Sequence, residues 1–219
     1  MRKVTITIDG PAGAGKSTVA RMLAERLGYR YLDTGATYRV VALKAMEEGI
    51  SPQDEEALRE LCRGIAISFG PAGEVLLDGE DVSQRIREPE VGMAASLISQ
   101  RKAVREVLWE LQRRLGEGGG VVAEGRDTGT VVFPHAEVKF YLDATLQERA
   151  RRRYRELLSR GKGVSFQEVL EEVRRRDRQD IEREIAPLKK APDAFYLDST
   201  HLTPEEVVER MLEEVRRRL

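Results

Sequence analysis

A glycine-rich segment near the start of the chain constrains the fold more than any other feature. Residues 10–17 have the sequence Gly-Pro-Ala-Gly-Ala-Gly-Lys-Ser, which matches the pattern G-x-x-x-x-G-K-[ST] at every position. The β-branched run from Val4 to Ile8 predicts a buried strand, and the apolar spacing from Ser17 to Leu27 predicts a helix. A strand, a glycine-rich loop and a helix in this order form a phosphate-binding loop. We therefore predict that this chain binds a nucleoside triphosphate.

The chemistry of triphosphate binding accounts for these residue types. Glycines let successive backbone N–H groups curl around phosphate oxygens, and the helix N-terminus adds a favourable partial charge. Lys16 is expected to reach the β- and γ-phosphates, and the Ser17 hydroxyl is expected to bind Mg²⁺. The strand–loop–helix context argues against a glycine-rich turn with an incidental lysine. The predicted ATP-binding residues are Gly10, Pro11, Ala12, Gly13, Ala14, Gly15, Lys16, Ser17 and Thr18.

The rest of the chain alternates strands with helices. Buried strands are predicted at residues 29–32, 121–123, 138–142 and 194–197, each next to a helical pattern. Helix starts are predicted at Thr145, Ser165 and Thr203, each followed three residues later by a glutamate that favours N-capping. This alternation is typical of an α/β fold with a parallel sheet flanked by helices.

One stretch breaks the alternation. Two short strands, Ile65–Phe69 and Glu74–Leu77, flank the turn sequence Gly70-Pro71-Ala72-Gly73 and predict a β-hairpin. Helical patterns near Glu55–Arg63 and Arg101–Leu115 lie on either side of it. We therefore expect residues 37–116 to form a lobe inserted into the core.

Composition excludes several classes of protein. A chain of 219 residues, 41% of them hydrophobic, is large enough for one main core. No run approaches about 18 apolar residues, and Met1-Arg2-Lys3 leads directly into the first strand, so we expect neither a membrane-spanning nor a secreted protein. The net charge of −1 argues against electrostatic binding of nucleic acid. The single cysteine, Cys62, excludes an internal disulfide and a multi-cysteine zinc site.

The absence of one residue type narrows the choice further. The chain contains no asparagine and so lacks the Asn-Lys-x-Asp motif with which GTPases recognise guanine. At this length there is also no room for the additional modules of motor or recombination ATPases. A small phosphotransferase remains, and its acceptor site must be found elsewhere in the chain.

Arginine outnumbers lysine by 29 to 8. This bias fits heat adaptation or codon usage, but it also fits phosphate recognition, because guanidinium groups bind phosphate in a bidentate geometry. Residues 148–190 contain 14 Lys+Arg against 9 Asp+Glu, a local excess of +5 in a nearly neutral chain. We therefore expect this segment to face anionic substrates.

Two polar segments follow predicted strands, where ligands of open parallel sheets bind. Residues 33–39 follow the second strand, and Arg39 falls about one turn into the next helix, where it can hold an anionic group. Residues 124–129 follow the third strand and present Arg126 and Asp127 at the same edge of the sheet. Either segment is also compatible with a loop salt bridge.

A third polar group lies on a predicted helix. Arg176, Asp180 and Arg183 are spaced i, i+4 and i+7 and so share one face of that helix. The same spacing is compatible with an ion-paired, solvated face, so taken alone it does not assign a function.

Together these segments resemble the bacterial cytidylate kinases, and the resemblance covers essentially the whole chain. Its most specific part is Gly125-Arg-Asp-Thr-Gly-Thr-Val-Val-Phe-Pro134. The other matching segments are the phosphate-binding loop to Thr18, Asp33-Thr-Gly-Ala-Thr-Tyr-Arg39, Gly79-Glu-Asp-Val-Ser83, Ala94-Ala-Ser96, Val104-Arg105-Glu106, Arg176-Asp177, Asp180 and Ala186-Pro187-Leu188.

The resemblance implies a fold, an activity and a site. The fold would be that of a P-loop nucleoside monophosphate kinase, and the activity would be ATP- and Mg²⁺-dependent transfer of the γ-phosphoryl group to CMP or dCMP, giving CDP or dCDP and ADP in pyrimidine nucleotide metabolism. Arg39, Arg126 and Arg183 would bind the CMP phosphate, and Arg126 and Arg183 would act in catalysis with Lys16. A lid is implied around residues 160–163.

The resemblance also implies how the nucleoside is recognised. Ser96, Arg105 and Asp127 would bind cytosine, and Arg176 with Asp180 would contact the sugar. The chemistry agrees, because a carboxylate accepts from the cytosine amino group and an arginine or serine donates to its acceptors.

The implied domain organisation is a single kinase domain. The core would contain residues 1–36, 117–147 and 190–219, the CMP-binding insert about 37–116, and the lid with its flanking helices about 148–189. We expect a cytoplasmic monomer that binds ATP and CMP or dCMP but neither nucleic acid nor a membrane.

Two departures from the family pattern fall within the predicted site. Thr34, expected in the CMP site, stands where serine is common, and Glu124 stands where aspartate is common. The threonine keeps a hydroxyl, whereas the reach of the glutamate is open. The acid that supports Mg²⁺ also stays open among Asp33, Glu124 and Asp127.

Two alternative functions stay open at this point. A kinase for UMP or dTMP is the nearest, although uracil offers no amino donor to Asp127. A P-loop regulatory or nucleic-acid-associated protein that hydrolyses ATP slowly is the alternative from another class.

Several other residues are interpreted structurally. Cys62 is expected in the core, Trp109 in the packing of the insert, and His135 and His201 in loops without metal-ligand spacing. The terminal run 216–218 would complement a helix dipole. One or two of Arg151, Arg152 and Arg153 are expected to approach the phosphates.

Overall fold

The computed structural model describes residues 3–70, 73–161 and 163–219. The strands are β1 (Thr5–Asp9), β2 (Arg30–Asp33), β3 (Ile67–Phe69), β4 (Val75–Leu77), β5 (Glu80–Asp81), β6 (Val121–Gly125), β7 (Val138–Asp143) and β8 (Phe195–Asp198). The helices are α1 (Lys16–Leu27), α2 (Thr34–Glu47), α3 (Glu55–Gly64), α4 (Pro89–Ile98), α5 (Lys102–Gly116), α6 (Leu146–Ser159), α7 (Phe166–Glu182) and α8 (Pro204–Arg218). The chain divides into two compact units, one of residues 1–31 with 118–219 and one of residues 32–117.

The first unit is built on a five-stranded sheet of order β2-β6-β1-β7-β8. The pairs β1–β6, β1–β7 and β7–β8 are parallel, and Asp9 aligns with Gly125 on one side and Tyr141 on the other. The carboxyl ends of three central strands therefore meet at one edge, where parallel sheets bind ligands. The predicted α/β fold with a parallel sheet flanked by helices is confirmed.

Hydrophobic burial holds this unit together. Ile6, Ile8 and Phe140 from the sheet are at most 1% exposed and pack in one cluster with Leu23 of α1 and Met211 of α8. Strands buried in this way need nearly continuous apolar sequence, and these segments have it. The predicted strands are confirmed, although most of them end one or two residues later than the apolar pattern indicated.

The predicted helix starts are also confirmed. The hydroxyl of Thr145 accepts from the backbone N–H of Glu148, and Ser165 and Thr203 each form a complete capping box with the glutamate three residues on. Helix α1 ends at Gly28, whose φ of 63° is readily adopted only by glycine.

The second unit has its own core and a small antiparallel sheet of order β3-β4-β5. The hairpin of β3 and β4 confirms the prediction, and Pro71 and Ala72 of its expected turn lie outside the described residues. Helices α3 and α5 were predicted, whereas α4 and β5 were not. The two residues of β5 are exposed and polar and gave no recognisable sequence signal. Helix α4 carried signals that the prediction missed, namely Pro89 at its start and buried apolar residues at helical spacing behind it.

Helices α6 and α7 carry the basic segment between β7 and β8. They pack through a small cluster of Leu157, Val169 and Val173. The connection between the two helices is where the sequence predicts a lid, and Lys162 within it lies outside the described residues. In the part of the chain that the structure describes, no helix has both the length and the apolar character needed to cross a membrane.

Candidate active site

The phosphate-binding loop runs from the end of β1 to the start of α1. Gly10, Gly13 and Gly15 have φ values of 153°, 74° and 91°, which other residues rarely adopt. A Cβ on Gly13 would also lie 2.8 Å from the Arg149 carbonyl oxygen, and one on Gly10 would overlap the Leu142 carbonyl. The glycines of the motif are therefore required by both the backbone conformation and close packing.

Lys16 is buried at the base of this loop. The residue is only 5% exposed, and its Nζ donates a hydrogen bond to the Pro11 carbonyl oxygen at 2.8 Å. Burial, and next the charge of Arg126, lower the pKa of Lys16 to about 7, against the opposing effect of Glu124 and Asp180. An anionic phosphate at this position would favour the ammonium form and restore its charge.

Glu124, at the end of β6, lies beside the first helical turn after the loop. Ser17 Oγ donates to Glu124 Oε1 at 2.6 Å, and the hydroxyl of Tyr31 donates to the same oxygen at 3.2 Å. The longer side chain that departs from the family pattern thus reaches the serine of the phosphate-binding loop. Asp33, by contrast, caps α2 by accepting from the backbone N–H of Ala36 at 2.9 Å.

An arginine–aspartate cluster lies in the same unit. Arg126 Nε donates to Asp180 Oδ2 at 2.7 Å, and the two side chains are 19% and 16% exposed. Burial alone would raise the pKa of Asp180, but Arg126, with smaller contributions from Arg176 and Arg183, outweighs burial and the pKa of that carboxyl is lowered. Asp180 is therefore a buried, ionised partner of Arg126 and not part of a solvated helix face.

Arg183 completes this cluster from just outside α7. The prediction placed it within the helix, but the helix ends at Glu182 and Arg183 has an extended backbone. Its Nη2 and Nη1 lie 3.8 Å from carboxylate oxygens of Asp127 and Asp180, and its Nε donates to the Ala186 carbonyl oxygen at 2.6 Å. Arg183 therefore lies near both carboxylates from an extended backbone and not from a helical one.

The arginines of α6 contact the phosphate-binding loop through its carbonyl groups. Arg152 donates to the carbonyl oxygens of Ala14 at 3.1 Å and Ser199 at 2.6 Å. Arg151 is 59% exposed and pairs with Glu148 on its own helix, and Arg153 likewise pairs with Glu156. Of the three arginines that the sequence singled out, Arg152 is therefore the one next to the loop.

Arg149 is a contact of this kind that the sequence analysis missed. It is 7% exposed, and its Nη1 donates to the Ala12 carbonyl oxygen at 3.0 Å and to Asp177 Oδ2 at 2.6 Å. Arg149 and Arg152 are three residues apart and share a face of α6. The predicted cap at Thr145 sets the helical register of α6, and the i, i+3 spacing of Arg149 and Arg152 in that register was the signal that could have identified Arg149.

The predicted CMP-binding residues of the second unit lie on three of its helices: Thr34 and Arg39 on α2, Ser96 on α4 and Arg105 on α5. Arg105 is only 1% exposed, which is unusual for arginine. Its guanidinium lies 5.5 Å from the ring centre of Tyr38 and 5.2 Å from that of Trp109, and Nη1 donates to the Ser99 carbonyl oxygen at 2.8 Å. Two aromatic rings and a carbonyl thus fix the orientation of this guanidinium.

Residues interpreted structurally have varied surroundings. Cys62 is buried in the core of the second unit, as predicted. Trp109 is half-buried and contacts Arg105, a more specific role than packing alone. His135 and His201 are exposed.

Burial raises the pKa of the Cys62 thiol to about 12. At about pH 8 only ~10⁻⁴ of such a thiol is the reactive thiolate, so alkylation by iodoacetamide should be at least about 100-fold slower in the folded protein than in urea. Mass spectrometry of the labelled chain measures both rates. Similar rates in the two conditions would contradict the buried environment of Cys62.

Comparison with known proteins gives a consistent result over the whole chain. The family model described as cytidylate kinase matches residues 6–217. The chain is 54% identical to a cytidylate kinase of Citrifermentans bemidjiense over 99% of its own length and 94% of that protein. It is 51% identical to the cytidylate kinase of Geobacillus kaustophilus over 100% and 99% of the two lengths.

Solved structures show the same fold at low sequence identity. A protein from Eubacterium ventriosum matches with a TM-score of 0.56 and 11% identity, covering 99% of this chain and 100% of that one. Shikimate kinase from Bacteroides thetaiotaomicron matches with a TM-score of 0.50 and 14% identity, covering 97% and 98%. The phosphate-binding loop, the arginine–aspartate cluster and the full-length sequence match agree: the chain belongs to the cytidylate kinase family.

Proposed function

We propose that this protein transfers the γ-phosphoryl group of ATP to CMP or dCMP, giving ADP and CDP or dCDP. The observation that carries the proposal is the cluster in the first unit, where the charges of Lys16, Arg126, Arg176 and Asp180 interact beside the phosphate-binding loop. Phosphoryl transfer needs fixed positive charge and in-line positioning and little covalent chemistry from the protein. A buried lysine and oriented arginines supply these conditions.

Each basic residue has a distinct proposed role. Backbone N–H groups within residues 10–18 (Pro11 has none) bind the ATP phosphates, and Lys16 reaches the β- and γ-phosphates. Arg126 and Arg183 bind the acceptor phosphate and the transferring group, together with Arg39 of the second unit. Because Asp180 orients Arg126 before substrate arrives, less reorganisation is needed in the transition state.

We infer that Ser17 and Glu124 hold Mg²⁺ in the ATP complex. A hydroxyl and a carboxylate oxygen are ligands that Mg²⁺ prefers, and here they lie 2.6 Å apart. Held by these two residues, the ion would supply positive charge that neutralises part of the charge of the ATP phosphates. The contact from Tyr31 keeps the Glu124 carboxylate turned toward Ser17.

Base selection is proposed to depend on Asp127, Arg105 and Ser96. Asp127 would accept from the cytosine amino group, which uracil lacks, while Arg105 and Ser96 would donate to the base acceptors. Leaving one such buried group unpaired would disfavour UMP by ~1–3 kcal/mol. Arg176 and Asp180 would contact the sugar, and Thr34 would complete the site with its hydroxyl.

We further propose that the enzyme acts as a monomer in the cytoplasm, in pyrimidine nucleotide metabolism, without nucleic acid or membrane partners. The formal charge of −1 supports independence from nucleic acid, because such partners usually select a clear basic excess. Sedimentation equilibrium of the full chain tests the monomer, and a stable dimer would contradict it.

The acceptor is tested by ADP release from ATP and Mg²⁺ with CMP, dCMP, UMP or AMP supplied separately, and with no acceptor. We expect CMP and dCMP to give the fastest release. A faster rate with UMP or AMP would contradict the cytidylate assignment. A rate that ignores every acceptor would contradict kinase activity and favour slow ATP hydrolysis.

Trp109 provides a direct probe of base binding, because it is the single tryptophan of the chain and its ring contacts Arg105. CMP is expected to change its fluorescence with the same midpoint as calorimetric binding, since a base bound to Arg105 changes the charge environment of the indole. Arg105→Lys should abolish the change, and Lys102→Met on the exposed face of α5 should preserve it. An unchanged spectrum at saturating CMP would contradict contact between the base and Arg105.

A further inference from the structure

We propose that Asp9 and Lys139 are positioning residues that hold the segment 126–134 in the conformation needed to bind CMP. This inference rests on the proposed function, because Arg126 and Asp127 at the start of that segment are proposed CMP ligands. Neither Asp9 nor Lys139 is proposed to touch substrate. They act through the backbone of the segment, one near its beginning and one at its end.

Asp9 holds the beginning of the segment. It is only 4% exposed, and its carboxylate accepts three hydrogen bonds: from the backbone N–H of Thr128 at 2.9 Å, from the Thr128 hydroxyl at 2.7 Å and from the backbone N–H of Gly129 at 2.7 Å. Both carboxylate oxygens are used, so the side chain is committed to residues directly after Asp127. A carboxylate buried for this purpose is expensive to desolvate, which indicates a strong demand for these contacts.

Lys139 holds the end of the segment. It is 6% exposed, and its Nζ donates to the Pro134 carbonyl oxygen at 2.7 Å and pairs with Asp193 at 2.9 Å. A lysine this deeply buried on a central strand contributes a fixed charge where an apolar residue would be the ordinary choice. The hydrogen bond to Pro134 ties the segment to β7.

The sheet brings the two charges to one place. Thr7 and Asp9 are two residues apart and so lie on the same face of β1. Lys139 aligns with Thr7 on the neighbouring parallel strand β7. Gly129 sits directly over this face, since a Cβ there would lie 2.8 Å from the Thr7 hydroxyl and 3.2 Å from an Asp9 carboxylate oxygen. The segment therefore approaches the sheet as closely as its backbone allows.

The segment contains a π-helical turn, Thr128–Val132, whose first two residues are those bound by Asp9 and which ends before Pro134. Such turns are rare in proteins as a whole, and those that occur are often at functional sites. The backbone carbonyl oxygen of Asp127 accepts from the N–H groups of Val131 and Val132, so the turn begins at Asp127 itself. Fixing Thr128 and Pro134 thus fixes the backbone that carries Arg126 and Asp127.

The test compares substrate affinities and backbone exchange in the full-length protein. Asp9→Asn puts an amide donor toward a backbone donor, and Thr128→Val removes only the hydroxyl bond. Lys139→Met removes the ammonium, with both its hydrogen bond to the Pro134 carbonyl and its pairing with Asp193. We expect about tenfold weaker CMP binding by calorimetry in Asp9→Asn and Lys139→Met, a smaller loss in Thr128→Val, and ADP affinity within about twofold of the parent. Lys139→Arg should restore much of the loss, and Arg217→Ala, at a position 70% exposed and outside the basic segment, should bind normally.

Hydrogen exchange gives the readout that separates positioning from general destabilisation. Peptides covering residues 126–134 should exchange about tenfold faster in Asp9→Asn, while those covering residues 10–18 keep the exchange of the parent protein. Equal losses of CMP and ADP affinity, or unchanged exchange at 126–134, would overturn the proposal. If the parent protein binds no CMP, the proposed function is refuted. Faster exchange at residues 126–134 in Asp9→Asn would then still identify Asp9 as the contact that orders this segment.

Discussion

Arg126→Ala is expected to lower kcat for CMP phosphorylation by about 10³-fold, the largest effect we expect of any single substitution. Two causes act together. The guanidinium that we propose to neutralise charge on the transferring phosphoryl group is lost, and Asp180, 16% exposed, loses a partner that lowers its pKa. Steady-state rates of ADP formation at saturating ATP and CMP measure the change.

The matched control is Arg217→Ala. Arg217 is 70% exposed and pairs only with the neighbouring carboxylate of Glu214 among the contacts described for it, so its loss should change kcat by less than about twofold. Equal activity in the two variants would remove Arg126 from the reaction. A loss of folding in Arg126→Ala would show as a lower Tm, and Arg126→Lys, which keeps the charge, then supplies the comparison with an expected loss of about 10²-fold.

Lys16→Met is the second substitution with a large expected effect. The ammonium lies at the base of the phosphate-binding loop, and its loss should lower kcat/KM for ATP by about 10²–10³-fold, because charge on the β- and γ-phosphates is then uncompensated. The methionine is nearly isosteric and removes a buried group whose pKa is already lowered to about 7, so the folded state should lose little stability.

Calorimetry distinguishes this role from a structural one. ADP binding should weaken in Lys16→Met while the Tm stays within a few degrees of the parent, and Lys190→Met at an exposed position should alter neither. Unchanged kcat/KM for ATP would show that the lysine of the motif does not contact the phosphates. A large fall in Tm with unchanged ADP affinity would assign Lys16 to the packing of the loop.

The architecture followed from local sequence signals because those signals were strong. The run from Val4 to Ile8 is apolar and β-branched, and it forms β1 with Ile6 and Ile8 completely buried. The capping serine and threonines begin α6, α7 and α8 at the expected residues. Of the missed elements, β5 has two exposed polar residues without apolar alternation. Helix α4 lacks a polar side-chain cap, but its initial proline and its buried residues at helical spacing were signals that could have found it.

Part of the chemistry of the site could also be predicted from the sequence. Glycine spacing predicted the loop, and the family resemblance named Arg126, Asp180 and Arg183, which the structure brings together. The roles of these residues toward CMP stay predictions. What the sequence could not supply was the supporting contacts, because they depend on which strands are neighbours. The contact of Asp9 with Thr128 spans 119 residues of sequence and exists only because β1 lies beside β6.

The choice among the three acids that the sequence left open for Mg²⁺ was likewise a question of geometry. Asp33, Glu124 and Asp127 all follow strands and are equivalent in a one-dimensional pattern. Asp33 caps its helix, Asp127 lies near Arg183, and only Glu124 of these three accepts from Ser17. The reach of the glutamate, which stayed open in the sequence, brings its carboxylate to Ser17, and the hydroxyl of Tyr31 donates to the same oxygen.

Transfer of label from [γ-³²P]ATP to a mixture of equal CMP and UMP concentrations tests the central claim most directly. With Mg²⁺ present, we expect the label to appear in CDP at least about tenfold faster than in UDP, with little inorganic phosphate. The reason is that the proposed site would pair the cytosine amino group and would leave a carboxylate unpaired with uracil. Label that accumulates mainly in UDP or in inorganic phosphate would contradict a cytidylate kinase activity for this chain.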